Sequence, residues 1–235
     1  MKKLSVHFLM LLSAISFVLM IPGFLLAQEE SGTPEAIEKK LSNEEVKALS
    51  YRGVDSQIKG DYDQAISDLT KVLENTPPNT NPDAYFHRAL AYEGKGNHAQ
   101  AIVDYTKIIE IKPDDARVYS RRGNAYIIAL PESPKEAIPD FDRAIEIDPN
   151  LSDAYNGRAI AYARIGKFDK AIADSSKAMV INPDDGFNYV SLAVINFYQK
   201  QYDKSWDNVH KAEALGTTPH SIFLDGLKKA SGREK

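Results

Sequence analysis

Three nine-residue stretches, AYFHRALAY at 84–92, VYSRRGNAY at 118–126 and AYNGRAIAY at 154–162, repeat one pattern at nearly constant spacing. Each is followed by a second stretch that closes on proline: QAIVDYTKIIEIKP, EAIPDFDRAIEIDP and KAIADSSKAMVINP. A period this short encloses no catalytic domain. It constrains the chain to a stack of similar small units, each of which buries its apolar face only against its neighbours.

The register follows from the small residue that opens the second stretch. Ala65, Ala101, Ala137, Ala171 and Ser205 stand at intervals of 36, 36, 34 and 34, so the basic unit is 34 residues. Two extra residues enter between Pro78 and Asp83 and two more within Leu130 to Pro134, both in Pro- and Asn-containing sequence that suits a turn. Within a unit, Tyr85, Arg88, Ala89 and Tyr92 recur at helical spacing, as do Ala101, Ile102, Tyr105 and Ile108, so each unit is a pair of helices. Gly60, Gly96 and Gly166 stand where the first helix ends and suit a left-handed cap. Pro77, Pro113, Pro149 and Pro183 end the second helix. Gly53, Ala89, Gly123, Ala159 and Ala193 share one slot of the first helix, expected opposite the alanine slot of the second, with Tyr92, Tyr126 and Tyr162 beside the crossing.

On these residues the chain resembles the tetratricopeptide-repeat family, over about five units from Glu45 to Thr217. The resemblance implies an all-α, right-handed α-solenoid. Its array is expected over 43–217, with units at about 46–79, 82–115, 116–151, 152–185 and 186–217. The first and fifth units are degenerate, with Ser56 and Asn196 in place of the tyrosine, as suits the ends of an array. Thr218-Pro219 begins a capping helix expected over 218–231, whose apolar set Ile222, Phe223, Leu227 and Ala230 would cover the last pair.

The amino terminus differs from everything after it. Lys2 and Lys3 precede a nearly unbroken apolar run from Leu4 to Ile21, which Pro22 and Gly23 break before Leu25-Leu26-Ala27. This is the layout of a signal peptide over 1–27 cleaved after Ala27, and the alternative is an uncleaved membrane anchor. Export places the protein in the periplasm or outside the cell; the alternative holds it at the inner membrane. The absence of cysteine excludes a lipidated cysteine, disulfides and thiolate metal sites. Residues 28–42, with Gly32, Pro34 and mixed charge, read as a flexible linker. A net charge of −4 argues against a nucleic-acid partner.

Arginine and aspartate recur together as Arg52 with Asp68, Arg88 with Asp104, Arg122 with Asp140 and Arg158 with Asp174, and both are lost in the fifth unit, which has Leu192 and Asn208. Paired loss points to an ion pair between the two helices of a hairpin; the rival is an anion-binding ladder. His7, His87, His98, His210 and His220 follow no metal-ligand spacing. His98 takes the slot of Tyr62, Phe168 and Tyr202 and reads as packing, while His87 faces either a ligand or solvent. The carboxylates mostly recur in every unit, and neither a phosphate loop, a His-Glu-x-x-His helix nor an activated nucleophile is found. The expectation is a noncatalytic chain without cofactor or metal. Trp206, the single tryptophan, takes the slot of Ile66, Ile102, Ile138 and Ile172 and reads as core. Pro139 lies past the first turn of its expected helix and predicts a kink.

The resemblance also implies that the first helix of each unit lines a concave face that binds a peptide or partner protein. On this sequence those positions are Phe86, His87, Leu90, Arg117, Ser120, Arg121, Asn124, Ile127, Asn156, Ile160, Phe187, Val190, Val194 and Phe197. One slot, Val54, Leu90, Asn124, Ile160 and Val194, is mostly aliphatic, which suits either a peptide groove or packing between units. Arg117 and Arg121, four apart, are placed to share one acidic group of a ligand. The family's full clamp for a terminal carboxylate is absent, because Ser50, Val54 and His87 stand at the matching earlier positions. The functional expectation is an envelope scaffold or adaptor for a protein or peptide. The alternatives are a membrane-anchored assembly factor, touching the membrane only through 1–27, and a small-molecule-binding or enzymatic accessory.

Overall fold

The computed structural model describes residues 40–233. The expected signal peptide or anchor at 1–27, the first part of the linker and His7 lie outside the described residues.

The helices alternate as the repeat requires: α1 Asn43–Lys59, α2 Tyr62–Asn75, α3 Pro82–Gly94, α4 His98–Ile111, α5 Ala116–Ala129, α6 Ile138–Ile147, α7 Ser152–Arg164, α8 Phe168–Ile181, α9 Gly186–Tyr198, α10 Tyr202–Ala214 and α11 Ser221–Ser231. Odd-numbered helices up to α9 are the first of each pair; each packs on its partner, and α1, α5 and α7 also pack on the first helix of the next pair. Among the described residues there is no strand. The architecture is an α-solenoid.

Local signals set the helix ends. Ser42 accepts from the Glu45 amide while the Glu45 side chain returns to the Ser42 backbone, a reciprocal box that starts α1. The Leu41 amide donates to Asn75 Oδ1 at 2.8 Å. Residues 41 and 42, expected as linker, therefore belong to the folded part. Gly60, Gly96 and Gly166 end first helices with φ of +83°, +75° and +75°, and in the fifth unit Lys200 takes the same left-handed place at φ +61°. Pro139 does not kink a continuous helix. A 3₁₀ turn over Pro134–Ala137 precedes α6, so Pro139 falls in the first turn of a new helix, where its missing N–H is not needed.

Close approach of the paired helices uses the small slot, but the facing residue is not the alanine. A Cβ on Gly53 would lie 2.8 Å from Leu69 Cγ, and one on Gly123 2.8 Å from Phe141 Cζ. Leu69 and Phe141 stand one turn beyond Ala65 and Ala137, and both are fully buried.

The arginine and aspartate pairs form in all four units that carry them, each a two-pronged guanidinium-carboxylate contact at 2.6 to 2.9 Å. A further nitrogen reaches back to the preceding unit: Arg88 donates to Thr70 Oγ1, Arg122 to Thr106 Oγ1 and Arg158 to Asp142 Oδ1. The ladder joins units as well as helices, and with its donors so engaged it is architecture and not an anion site. It stops at Leu192.

The last helix departs from a simple end cap. Leu227 is fully buried with Ala193, Trp206 and Val209, and Phe223 and Leu224 pack around them. Trp206 is core as expected, with Nε1 donating to Ser231 Oγ at 3.0 Å. Ile222 and Ala230, assigned to the apolar set, are exposed, and the helix starts at Ser221 because His220 supplies its cap. Leu224 takes the place assigned to them.

Candidate functional site

The first helices of the five units line one inner face, and its two ends differ. At the amino-terminal end, α1 and α3 bound a groove of about 670 Å³ lined by Val46, Ser50, Val54, Ala84 and His87. Tyr51 and Ile58 stand beside it at 68% and 73% exposure, large apolar side chains left to solvent. His87 Nδ1 shares a hydrogen bond with Gln57 Oε1 at 3.1 Å, and burial pushes its pKa down. Phe86 packs on Tyr105 with ring centroids 6.3 Å apart and lies under the Arg121 guanidinium at 5.9 Å. Leu90, like Val54, is half-buried.

The basic pair does not converge. Arg117 is exposed, lies 3.6 Å from Asp115 and borders a separate depression beside Pro113, Asp148 and Leu151. Arg121, also exposed, donates from Nη1 to Glu93 Oε2 at 3.3 Å. Burial raises the Glu93 pKa and Arg121 opposes it. Burial and neighbouring Asp185 likewise raise Asp153, again against Arg121. The charge assigned to a ligand's acidic group is already shared among carboxyls of the chain itself.

At the carboxyl-terminal end most expected lining residues are buried. Ser120, Ile127, Asn156, Ile160, Val190 and Val194 are all core positions. Asn156 Nδ2 donates to Asn188 Oδ1 at 2.8 Å, and Asn188 Nδ2 donates to the Asn182 carbonyl at 2.6 Å, so this amide chain ties α7 to α9. Asn156, Ser120 and the aliphatic slot of the fourth and fifth units are corrected from ligand contacts to packing residues.

What fills this end is the chain's own carboxyl-terminal segment. Phe223 packs edge-on to Phe197 with centroids 5.7 Å apart and also against the cluster of Ile127, Ile160 and Val194. His220 and Phe223 border Ile127, Ile128 and Arg164 of the third and fourth units, well away from the end of the array. Between the segment 218–223 and α5, α7 and α9 lies a cavity of about 390 Å³. Asn124 and Phe187, both half-buried, line it with Arg121.

Sequence reasoning missed Arg164, which stands on this cavity and donates from Nη1 to the Ile127 carbonyl at 2.8 Å. It also took His98 as packing, whereas His98 lines the same cavity, with its pKa lowered by burial and by His220. The available signal was histidine at a slot that other units fill with a six-membered aromatic ring. Among the described residues no cluster of three or more His, Asp or Glu is placed to hold a metal ion, and no helix is long and apolar enough to cross a membrane.

Comparison with known proteins agrees with the fold. Tetratricopeptide-repeat family profiles match residues 82–115 and 141–173. Similar solved structures include MamA, at 25% identity and TM-score 0.59, covering 83% of this chain and 98% of that one. TTC0263, a thermophilic TPR protein of Thermus thermophilus, matches at 21% identity and TM-score 0.59, covering 80% and 97%. YrrB, described as a TPR protein with an unusual peptide-binding site, shares the fold at 18% identity and TM-score 0.56, covering 81% and 94%. No curated protein matches the sequence.

Proposed function

Since this chain is a tetratricopeptide-repeat protein, we propose that it is a noncatalytic adaptor of the cell envelope that holds a peptide or partner protein against the amino-terminal half of its inner face. Protein interaction is what such a scaffold offers; the groove, the envelope location and the lack of catalysis are this reading's own terms. The observation that carries it is the contrast in exposure along one slot: Val54, which lines the groove with exposed Tyr51 and Ile58, and Leu90 are half-buried, while Ile160 and Val194 are sealed. Exposed apolar side chains around a groove of this size favour an amphipathic segment with two or three apolar anchors, each contributing about 1.5 to 3 kcal/mol when fully buried. YrrB supplies the precedent for a peptide ligand on this fold. The envelope location rests on the layout of residues 1–27.

The test is crosslinking capture from envelope extract with wild-type protein, with Val54→Asp/Leu90→Asp, and with Arg117→Glu. The first variant is expected to lose its partner with the helical circular-dichroism signal intact, and Arg117→Glu to retain it. Retention of every partner by Val54→Asp/Leu90→Asp overturns the groove assignment. An intact Met1 terminus in the membrane fraction favours the anchored assembly factor over the released adaptor.

A further inference from the structure

The segment that seals the carboxyl-terminal half is held by a hydrogen bond that one proton removes. His220 is the N-cap of α11, and its Nδ1 accepts from the Ile222 amide at 3.2 Å. A protonated Nδ1 is a donor and leaves that amide without its acceptor. The same proton puts a positive charge at the amino terminus of an 11-residue helix, against the helix dipole. Among the described helices His220 is the one imidazole that serves as a side-chain cap; the others are serine, aspartate or asparagine.

The groups around His220 do not absorb that charge. It shares both neighbouring depressions with Arg164 of α7, and the turn after α5 and helix α9 add Glu132 and Tyr198. Helices α3, α4 and α5 bring Glu93, His98 and Arg121, while α10 brings no charged group to either depression. Glu93 is bonded to Arg121, Glu132 stands out in solvent, and so does Asp225 on α11 itself. The two carboxylates of these walls meet two arginines, so an imidazole proton is an excess charge.

His98 acts in the same direction. It borders the same cavity as His220 and Arg164, and its Nδ1 is buried with no hydrogen-bond partner among the described residues, so a proton there finds no acceptor. From this arrangement we infer that His220 and His98 form a proton-operated latch: with both neutral the segment 218–223 stays on the inner face, and their protonation loosens it and uncovers the side chains beneath Phe223. Burial, and after it His220, lowers the pKa of His98. Docking is therefore strongest above the range in which an open histidine titrates, and it weakens as pH falls through that range, roughly from 7 to 5. Leu227, fully buried with Ala193, Trp206 and Val209, keeps the rest of α11 attached, so the latch works on the segment and the first turn of the helix.

The experiment is amide hydrogen exchange of the purified protein at about pH 7.5 and about pH 5.5, each rate divided by the intrinsic rate at that pH, with α1 as the internal reference. The chains compared are wild type, His220→Asn and His98→Phe. Asparagine keeps an N-cap acceptor that does not titrate in this range, and phenylalanine restores the ring that Phe168 gives the fourth unit, so both variants are expected to keep the helical circular-dichroism signal. In wild type, protection of Ile222, Phe223 and Ile127–Ala129 is expected to fall about fivefold on acidification, the loss of one N-terminal cap, with α1 unchanged. His220→Asn is expected to abolish that fall and His98→Phe to reduce it. The inference is overturned if wild-type protection at these amides is the same at both pH values, if α1 loses as much, or if either variant keeps the full fall. Partner capture at α1 and α3 does not depend on either histidine, so this inference and the adaptor reading fail separately.

Discussion

The two halves of the inner face are built from the same slots and end in opposite states. Val54 and Leu90 in the first two units are half-buried, Val54 on a groove, whereas Ile160 and Val194 in the fourth and fifth are covered, in part by Phe223 of the returning carboxyl-terminal segment. An aliphatic side chain in a repeat slot is thus neither a ligand contact nor a packing residue by its nature. What covers it decides, and here that cover is a nonrepeating segment.

The sharpest way to break this comparison is to place the same substitution at equivalent positions. Val194→Asp buries a carboxylate without a partner and is expected to cost about 4 kcal/mol or more, enough to unfold the carboxyl-terminal pairs. Val54→Asp at the same slot is expected to change stability by less than about 1 kcal/mol, because the charge stays hydrated. Urea unfolding of both variants checks it. Equal losses would erase the distinction between the halves.

The arginine ladder grades the same contrast more finely. Arg88 is 16% exposed against a buried Asp104, while Arg52 in the first unit is 58% exposed. Arg88→Met leaves Asp104 buried and unpaired and is expected to cost about 3 to 5 kcal/mol, of which Arg88→Met/Asp104→Leu should recover most. Arg52→Met is expected to lose less, since Gln64 still donates to Asp68. A double variant as unstable as the single one would show that lost packing, not the stranded charge, is the cause.

The repeat and the ladder were legible in the sequence because periodicity compares each unit with its neighbours. Paired loss at Leu192 and Asn208 identified the Arg–Asp contact without any coordinates. The state of the groove was not legible, since it depends on residues 218–223, which occur once and offer no second copy for comparison. Ile222 was assigned inward from helical spacing alone, but His220 starts the helix later and Phe223 and Leu224 take the buried face. Arg117 and Arg121 show the same limit. Spacing put them on one helix face, and their partners Asp115 and Glu93 turned them apart.

Two smaller effects sharpen the ends of the array. Lys200 holds the left-handed position that glycine holds in the first, second and fourth units. Lys200→Gly is expected to stabilise the protein by about 0.5 to 1 kcal/mol, seen as a rise in melting temperature of roughly 2 to 4 °C. A fall in melting temperature would mean that Lys200 makes contacts worth more than its strain. The ladder carboxyls should also titrate in a definite order. The Arg52 hydrogen bond holds Asp68 below the usual carboxylate range, whereas burial lifts Asp104 above it despite Arg88. Asp68 therefore stabilises the fold above its unfolded pKa, a contribution lost as pH falls through its lowered folded value. Asp104 has the opposite sign, and its contribution is lost as pH rises through its raised folded value. Carboxyl-carbon NMR titration should find Asp104 protonating at higher pH than Asp68; the reverse order would contradict the burial assigned to the second unit.

Hydrogen exchange of wild type against Phe223→Ala tests the central claim, that the carboxyl-terminal segment seals the groove and does not merely cap the last pair. The account predicts faster exchange at the ends of α5 and α7, around Ile127–Ala129 and Ala163–Ile165, with α1 and α3 unchanged. Loss of protection confined to α9, α10 and α11 would contradict it.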